Sequence, residues 1–198
     1  MLKRAFDLVS CIAGLVLLAP MFIIVAIWIK LDSSGPIFFR QERVGRNGEI
    51  FRIHKFRTMR SDSENKGRLT VGKDSRITTS GQFLRKSKVD ELPQLIDVVI
   101  GKMSLVGPRP EVQEFVDEYP SDVKDIVLSV RPGITDKASI EMVDENEILA
   151  KYDDPRKAYI EHVLPIKQKF YVDYVKKNNI RIDLLIIFQT IFKILGKR

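Results

Sequence analysis

Asp90 and Glu91 are adjacent acids at the head of Leu92-Pro93-Gln94-Leu95-Ile96-Asp97-Val98-Val99, a run that predicts a helix to about Ile100, ended by Gly101. With Asp90 as its N-cap, Pro93 falls in the first turn, where a missing N–H costs least. A carboxylate placed there faces free backbone N–H groups, which also attract phosphate. Lys55, Arg57, Arg85 and Arg109 are the candidate cations to hold a phosphate against it, arginine through paired hydrogen bonds. Glu91 is a candidate Mg²⁺ ligand, because Mg²⁺ takes one or two protein carboxylates and completes its shell with substrate phosphate oxygens. The plain alternative is a helix cap followed by a solvated acid, and an isolated Asp-Glu pair does not choose between them.

The elements that must position these residues are legible in outline. Ile37 to Val44 and Glu49 to Phe56 flank Gly45-Arg46-Asn47-Gly48, and Asn-Gly between extended, aromatic-bearing runs predicts an antiparallel hairpin. Between Arg40 and Arg60 stand seven basic residues and two acidic ones, so this hairpin carries most of the excess behind a net charge of +7. Ser61 to Asp74 reads as a polar surface loop and a candidate cover for the site. A helical segment surrounds Gly81 to Lys86. Ser104 to Glu111 must be an extended loop, because Pro108 and Pro110 forbid helix, and Arg131 to Thr135 is a turn. Helical patterns fill Val112 to Val127 and Asp154 to Lys177.

The 198 residues suit one domain with an appendage, and 44% hydrophobic with 30% charged residues excludes a disordered chain. A single cysteine, Cys11, and two histidines, His54 and His162, exclude a disulfide scaffold and a structural zinc fold. None of the three is assigned a role beyond packing or surface duty. Leu8 to Ile29 is 22 positions without a charge, about 33 Å as a helix and close to a bilayer's hydrocarbon thickness. The run is longer than a signal-peptide core and lacks a small-x-small cleavage site. Lys3 and Arg4 precede it while Lys30, Arg40, Arg43 and Arg46 follow, so both flanks are drawn to the cytoplasm. A segment that breaks at Ala19-Pro20 and returns satisfies both flanks. A kinked span remains open on these grounds, since proline is common in spanning helices. Ile180 to Leu195 is a second apolar helix, with Asp183, Gln189, Thr190, Lys193 and Lys197 on one narrow stripe. That pattern suits a helix lying at the headgroup boundary, and equally one packed on the core.

Together the motifs resemble the monotopic phosphoglycosyl transferases of bacteria, the bacterial sugar transferase family, over nearly the whole chain. The resemblance rests on the apolar segment interrupted at Ala19-Pro20, Gly35-Pro36-Ile37-Phe38-Phe39, Arg43-Val44-Gly45 and Lys55-Phe56-Arg57-Thr58-Met59. It continues through Asp90-Glu91-Leu92-Pro93-Gln94-Leu95, Ser104 to Pro110 and Arg131-Pro132-Gly133-Ile134-Thr135. It implies an α+β, mostly helical fold: an N-terminal re-entrant membrane helix-hairpin over residues 1–30, then a catalytic domain over 31–198 with a small antiparallel β-hairpin and interfacial amphipathic helices. It implies transfer of a sugar 1-phosphate from a UDP-sugar to a polyprenyl phosphate such as undecaprenyl phosphate, at the cytoplasmic face of the bacterial inner membrane, with Mg²⁺ as cofactor. Asp90 then matches the nucleophile that carries the phosphosugar while UMP leaves, and Glu91 the metal-supporting acid. Lys55, Arg85 and Arg109 match positions near the phosphates, and Pro108 and Pro110 the loop that shapes the site. Membrane lipid is an expected partner and nucleic acid is not; homo-oligomer formation is left open. After Thr135 the chain departs from the commoner Gly-Leu-Trp type continuation, so the segment from Asp136 to Lys169 is expected to meet the sugar differently. A rival class, a membrane-tethered basic module binding anionic lipid or nucleic acid, accounts for the hairpin's charge but leaves Asp90-Glu91-Leu92-Pro93 and Gly107-Pro108-Arg109-Pro110 unexplained.

Overall fold

The computed structural model describes residues 2–60, 74–142 and 145–196. Helix α1 (Leu2–Asp32) is followed by strands β1 (Phe38–Val44) and β2 (Ile50–Phe56), helix α2 (Thr79–Ser87), a 3₁₀ turn at Val89–Glu91 and helix α3 (Gln94–Val99). Strand β3 (Ser104–Val106), helices α4 (Gln113–Val116) and α5 (Ser121–Leu128), and strand β4 (Gly133–Thr135) come next. Helices α6 (Lys137–Glu141), α7 (Glu145–Leu149), α8 (Pro155–Ala158), α9 (Leu164–Lys177) and α10 (Ile180–Gly196) complete the chain. The α+β, mostly helical expectation holds. The candidate cover over Ser61 to Asp74 lies outside the described residues except for Asp74.

The hairpin forms as its sequence requires. Asn47 and Gly48 both take positive φ, 57° and 78°, which Asn-Gly tolerates best. The register pairs Phe38 with Phe56 and Glu42 with Arg52. Phe51 and Ile53 are buried against Cys11 of α1 and Leu95 and Val98 of α3. One step farther along the same face, the period of two places Lys55.

Helix α1 is long and apolar enough to cross a membrane, yet it lies along the body. Asp7, Cys11, Val25 and Ile29 are buried, with Leu15, Leu18, Met21 and Phe22 partly buried on the same side, an i, i+4 stripe. The opposite side is bare, with Val16, Leu17, Ile23 and Ile24 between 62% and 80% exposed. Both ends are tied to the same body. Lys3 reaches Asp183 at 2.6 Å, Asp7 accepts from the Ser104 hydroxyl at 2.7 Å, and Asp32 accepts from the Ser80 amide and hydroxyl at 2.8 and 2.7 Å. The expected break at Ala19-Pro20 is corrected to one uninterrupted helix. Proline forfeits a single ladder bond, and packed residues on both sides of it hold the chain helical.

Helix α10 turns part of its polar stripe inward. Asp183, 1% exposed, accepts from the Tyr174 hydroxyl at 2.7 Å, and the Thr190 and Thr135 hydroxyls meet at 2.7 Å. Leu185, Phe188, Ile191 and Phe192 face outward, 46–73% exposed. Gln189 and Lys193 are also exposed, so the stripe is split between the two faces, and Lys197 lies outside the described residues. An amphipathic helix that buries polar groups and bares apolar ones suits an apolar surrounding.

Three further expectations gain detail, and the first is revised. Pro120 divides the helical pattern from Val112 to Val127 into α4 and α5. The pattern from Asp154 to Lys177 is one helical run that includes a π turn at Tyr159–Val163. The extended loop after Ser104 begins as β3, which pairs in parallel with β4. This pairing needs glycine: a Cβ on Gly133 would stand 2.1 Å from the Gly107 nitrogen, and one on Gly107 would stand 2.6 Å from the Arg131 carbonyl oxygen. Gly133→Ala is expected to cost about 1–3 kcal/mol, read as a lower urea midpoint with an unchanged slope.

Candidate active site

The chain turns sharply between α2 and α3 at Lys88, whose φ of 59° places a non-glycine residue in the left-handed region at a cost of about 1–2 kcal/mol. The 3₁₀ turn that follows carries Asp90 and Glu91. Asp90 is therefore not the N-cap of a long helix, as its sequence position suggests. Helix α3 starts at Gln94 with Pro93 at its cap position, because a proline with φ fixed near −60° closes the 3₁₀ turn before regular helix begins.

Asp90 is buried, 9% exposed, and its Oδ1 accepts no hydrogen bond among the described residues. Burial raises its carboxyl pKa, the adjacent Glu91 charge adds to this, and Lys55, Lys88 and Arg85 oppose it. Glu91 is in the contrary state. Lys55 Nζ donates to its Oε1 at 2.8 Å, and the Arg109 guanidinium forks onto both of its oxygens. Burial would raise the Glu91 carboxyl, but Arg109 and Lys55 outweigh it and hold the group well below the usual range. In return Glu91 raises the Arg109 pKa, while burial lowers that of Lys55 against the same partner. Two neighbouring acids are thus driven apart, one toward protonation and one held ionised.

Arg85, on α2, donates from Nε to the Thr58 hydroxyl at 2.9 Å; burial lowers its pKa and Asp90 opposes this. Lys55, Arg85 and Arg109 thus all act electrostatically on the acidic pair. Pro108 and Pro110 shape the loop through their carbonyls, which accept from Gly133 N at 2.9 Å and from Arg43 Nη1 at 3.1 Å. With φ fixed at both prolines, Arg109 is aimed at Glu91.

Arg57 is turned by its described hydrogen bonds toward the end of α1 rather than toward Asp90 and Glu91. Beyond the end of β2 its guanidinium turns back and donates to the carbonyls of Ser33, at 2.7 Å, and Ser34. It caps the C-terminal end of α1, where a cation also complements the helix dipole. Arg57→Gln is expected to lower stability by about 2 kcal/mol while leaving the KM for the donor substrate within about twofold; urea unfolding and initial rates measure the two.

Sequence reasoning passed over several residues that support the site. His54 pairs through Nδ1 with Asp97 Oδ1 at 2.7 Å, and its backbone N–H donates to Asp97 Oδ2 at 2.8 Å, tying the free edge of β2 to α3. Behind Arg109, Glu111 accepts from the Tyr159 hydroxyl at 2.6 Å, and Lys167 donates to Tyr159 at 3.1 Å and pairs with Glu145 at 2.7 Å. The available signal was an acid directly after Arg109-Pro110, together with a lysine inside an apolar helical run. Asp136 is committed to its own helix, accepting from Ser139 N at 3.0 Å.

Among the described residues no group of three or more His, Cys, Asp or Glu side chains converges as a metal cage. Glu91 fits Mg²⁺ as a ligand by sharing oxygens that already receive Lys55 and Arg109. Glu91 is a hard, ionised oxygen donor, and the ion commonly completes its shell with substrate phosphate oxygens.

A family model described as bacterial sugar transferase matches residues 1–197. The chain is 38% identical over 197 residues to the UDP-N-acetylgalactosamine-undecaprenyl-phosphate N-acetylgalactosaminephosphotransferase of Aeromonas hydrophila, covering 98% of this chain and 44% of that protein. It is 39% identical over 202 residues to the exopolysaccharide production protein PSS of Rhizobium leguminosarum bv. phaseoli, covering 96% and 93%. It is 34% identical over 197 residues to the UDP-glucose:undecaprenyl-phosphate glucose-1-phosphate transferase of Escherichia coli, covering 98% and 40%. The chain therefore spans less than half the length of the Aeromonas and Escherichia relatives and nearly all of the Rhizobium one.

Proposed function

Because this chain belongs to the bacterial sugar transferase family, matched from residue 1 to 197, we propose that it transfers a sugar 1-phosphate from a UDP-sugar to undecaprenyl phosphate. The relatives are named for undecaprenyl phosphate with UDP-N-acetylgalactosamine or UDP-glucose, or for exopolysaccharide production, which supports a step in polysaccharide synthesis. One observation carries the mechanism: a buried carboxylate with an unbonded oxygen, Asp90 Oδ1, stands among cations that its neighbour Glu91 keeps in place.

The ionised Asp90 attacks the sugar-bearing phosphorus. The bond from that phosphorus to the bridging oxygen breaks, UMP leaves with the electron pair, and Asp90 carries the sugar phosphate as an acyl phosphate. An oxygen of undecaprenyl phosphate then attacks the same phosphorus and releases the Asp90 carboxylate and the lipid-linked diphosphate sugar. Splitting the transfer means that two anionic substrates need not share one cationic site at once. Lys55, Arg85 and Arg109 screen the diphosphate and the charge that develops on the leaving phosphate. When bound, Mg²⁺ would be held by Glu91 with the donor's phosphate oxygens and supply further neutralisation of the leaving group.

The reading includes a location at the cytoplasmic face of the inner membrane. Its support is the bare apolar side of α1, whose two ends are docked on one body, together with the outward apolar side of α10. A helix that crossed the bilayer would carry its ends to opposite surfaces. With α1 unbroken and lying along the membrane surface on its bare side, Asp90 stays level with the acceptor headgroup.

Purified protein given Mg²⁺ and a panel of UDP-sugars tests the reading. The expected result is about one UMP per chain without acceptor, and continuous release with undecaprenyl phosphate. Release only when both substrates are present would replace the covalent route by direct displacement. Salt-sensitive anion binding without UMP from any donor would favour the basic-module alternative.

A further inference from the structure

A second cationic cleft lies apart from Asp90 and Glu91. It encloses about 280 Å³ between the first turns of α1, the hairpin turn, the start of β3 and the ends of α5 and α9. Lys3, Arg4, Arg46 and Arg131 line it, and Asp7 is the acid among the lining residues. Lys3 is matched by Asp183 at 2.6 Å. The three guanidiniums are not. Arg4 donates to the carbonyls of Val98 and Val99, Arg46 to that of Ser129 and Arg131 to that of Gly101, all neutral acceptors. Among the described residues none of the three lies within ion-pair distance of a carboxylate.

Their charges oppose one another. Burial, then the like charges of Arg4 and Arg46, lower the proton affinity of Arg131, and Asp7 opposes them. Each guanidinium has five N–H donors, and the bonds to Ser129 and Gly101 use only Nε of Arg46 and Arg131. The outer N–H pairs are the part of arginine that forks onto phosphate. In Arg46 and Arg131 these outer groups make no bond among the described residues, while those of Arg4 are taken by Val98 and Val99. Asp7 is the one carboxylate among the described lining residues, beyond ion-pair distance of all three.

The cleft's position narrows the source of that anion. Arg4 and Lys3 adjoin Leu2, 74% exposed at the start of α1's bare side. Asp183, which Lys3 holds, adjoins Leu184 and Leu185, 37% and 56% exposed at the start of α10's bare side. The cationic cleft therefore sits where two apolar surfaces meet. We infer that it binds the phosphate group of an anionic membrane lipid, whose acyl chains lie against α1 and α10. The site is separate from the catalytic reading and stands or falls without it.

Thermal unfolding in a neutral detergent tests this, with phosphatidylglycerol, phosphatidylcholine or inorganic phosphate added. Phosphatidylglycerol is expected to raise the wild-type midpoint by about 2–4 °C beyond phosphatidylcholine. The shift should vanish in the Arg46→Gln/Arg131→Gln double variant and persist in the Arg46→Lys/Arg131→Lys variant, which keeps the charge. Arg46→Gln alone, on an exposed turn, should about halve it and serves if the double variant does not fold. Equal shifts from both lipids, or a full phosphatidylglycerol shift in the glutamine variants, would overturn the inference. A shift from inorganic phosphate alone that the double variant loses would overturn the lipid source and leave a site for soluble phosphate.

Discussion

Asp90→Asn should reduce UMP release by at least about 10⁴-fold, because the amide has no anionic oxygen to offer phosphorus and the neighbouring Glu91 is engaged by Lys55 and Arg109. The same change should remove the mass of one sugar phosphate that wild-type chains gain when incubated with donor alone. Folding should be spared. Asp90 is a buried acid whose Oδ1 receives no hydrogen bond among the described residues, so a neutral side chain of the same shape relieves a desolvated charge. An unchanged or raised unfolding midpoint alongside lost turnover separates chemistry from structure. Residual turnover with the adduct still present would assign the nucleophile elsewhere.

Glu91→Gln should damage stability and activity together. Lys55 and Arg109, 17% and 27% exposed at their side chains, share Glu91 as their anion. Removing one member of a buried pair costs about 3–5 kcal/mol, and the partial exposure of Arg109 places this case near the lower end. The pH dependence carries the more specific signature. Attack requires ionised Asp90, whose pKa is raised by burial and then by Glu91. In the wild type the rate should therefore fall on the acid side at a pH above the ordinary aspartate range of about 4. Glu91→Gln removes one of the two causes and leaves Lys55 and Arg109 free to favour the Asp90 anion, so the acid limb should move to lower pH while the maximum rate drops. The stability sign is also fixed. The depressed Glu91 pKa contributes stability above its unfolded value of about 4.3, and this is lost as pH falls through the folded value. The glutamine variant should lack that dependence. A limb that stays in place would mean that Glu91 does not act on Asp90.

How much was legible in advance follows from how local each determinant is. Asn47-Gly48 specifies its hairpin because the positive φ angles are properties of those two residues. Leu8 to Ile29 and Ile180 to Leu195 declare apolar helices by composition alone. The Asp-Glu pair, the basic hairpin and the proline-framed Arg109 were visible as types and spacings, and the family resemblance assembled them into one site. Lys55-Phe56-Arg57 reads in the sequence as a single basic patch. The strand ends between its two cations, so one faces Glu91 and the other the last carbonyls of α1.

By itself the sequence determined the hairpin, the two apolar helices and the residue types available for phosphate chemistry, since each depends on neighbours a few positions apart. Tertiary structure alone decided that Glu91 absorbs Arg109 and Lys55 while Asp90 keeps an unbonded oxygen, that β3 and β4 pair through facing glycines, and that α1 stays whole through Pro20 with both ends on one body. Those outcomes turn on contacts between residues from 18 to 180 positions apart. Burial and charge there come from packing against distant segments, which no local pattern encodes.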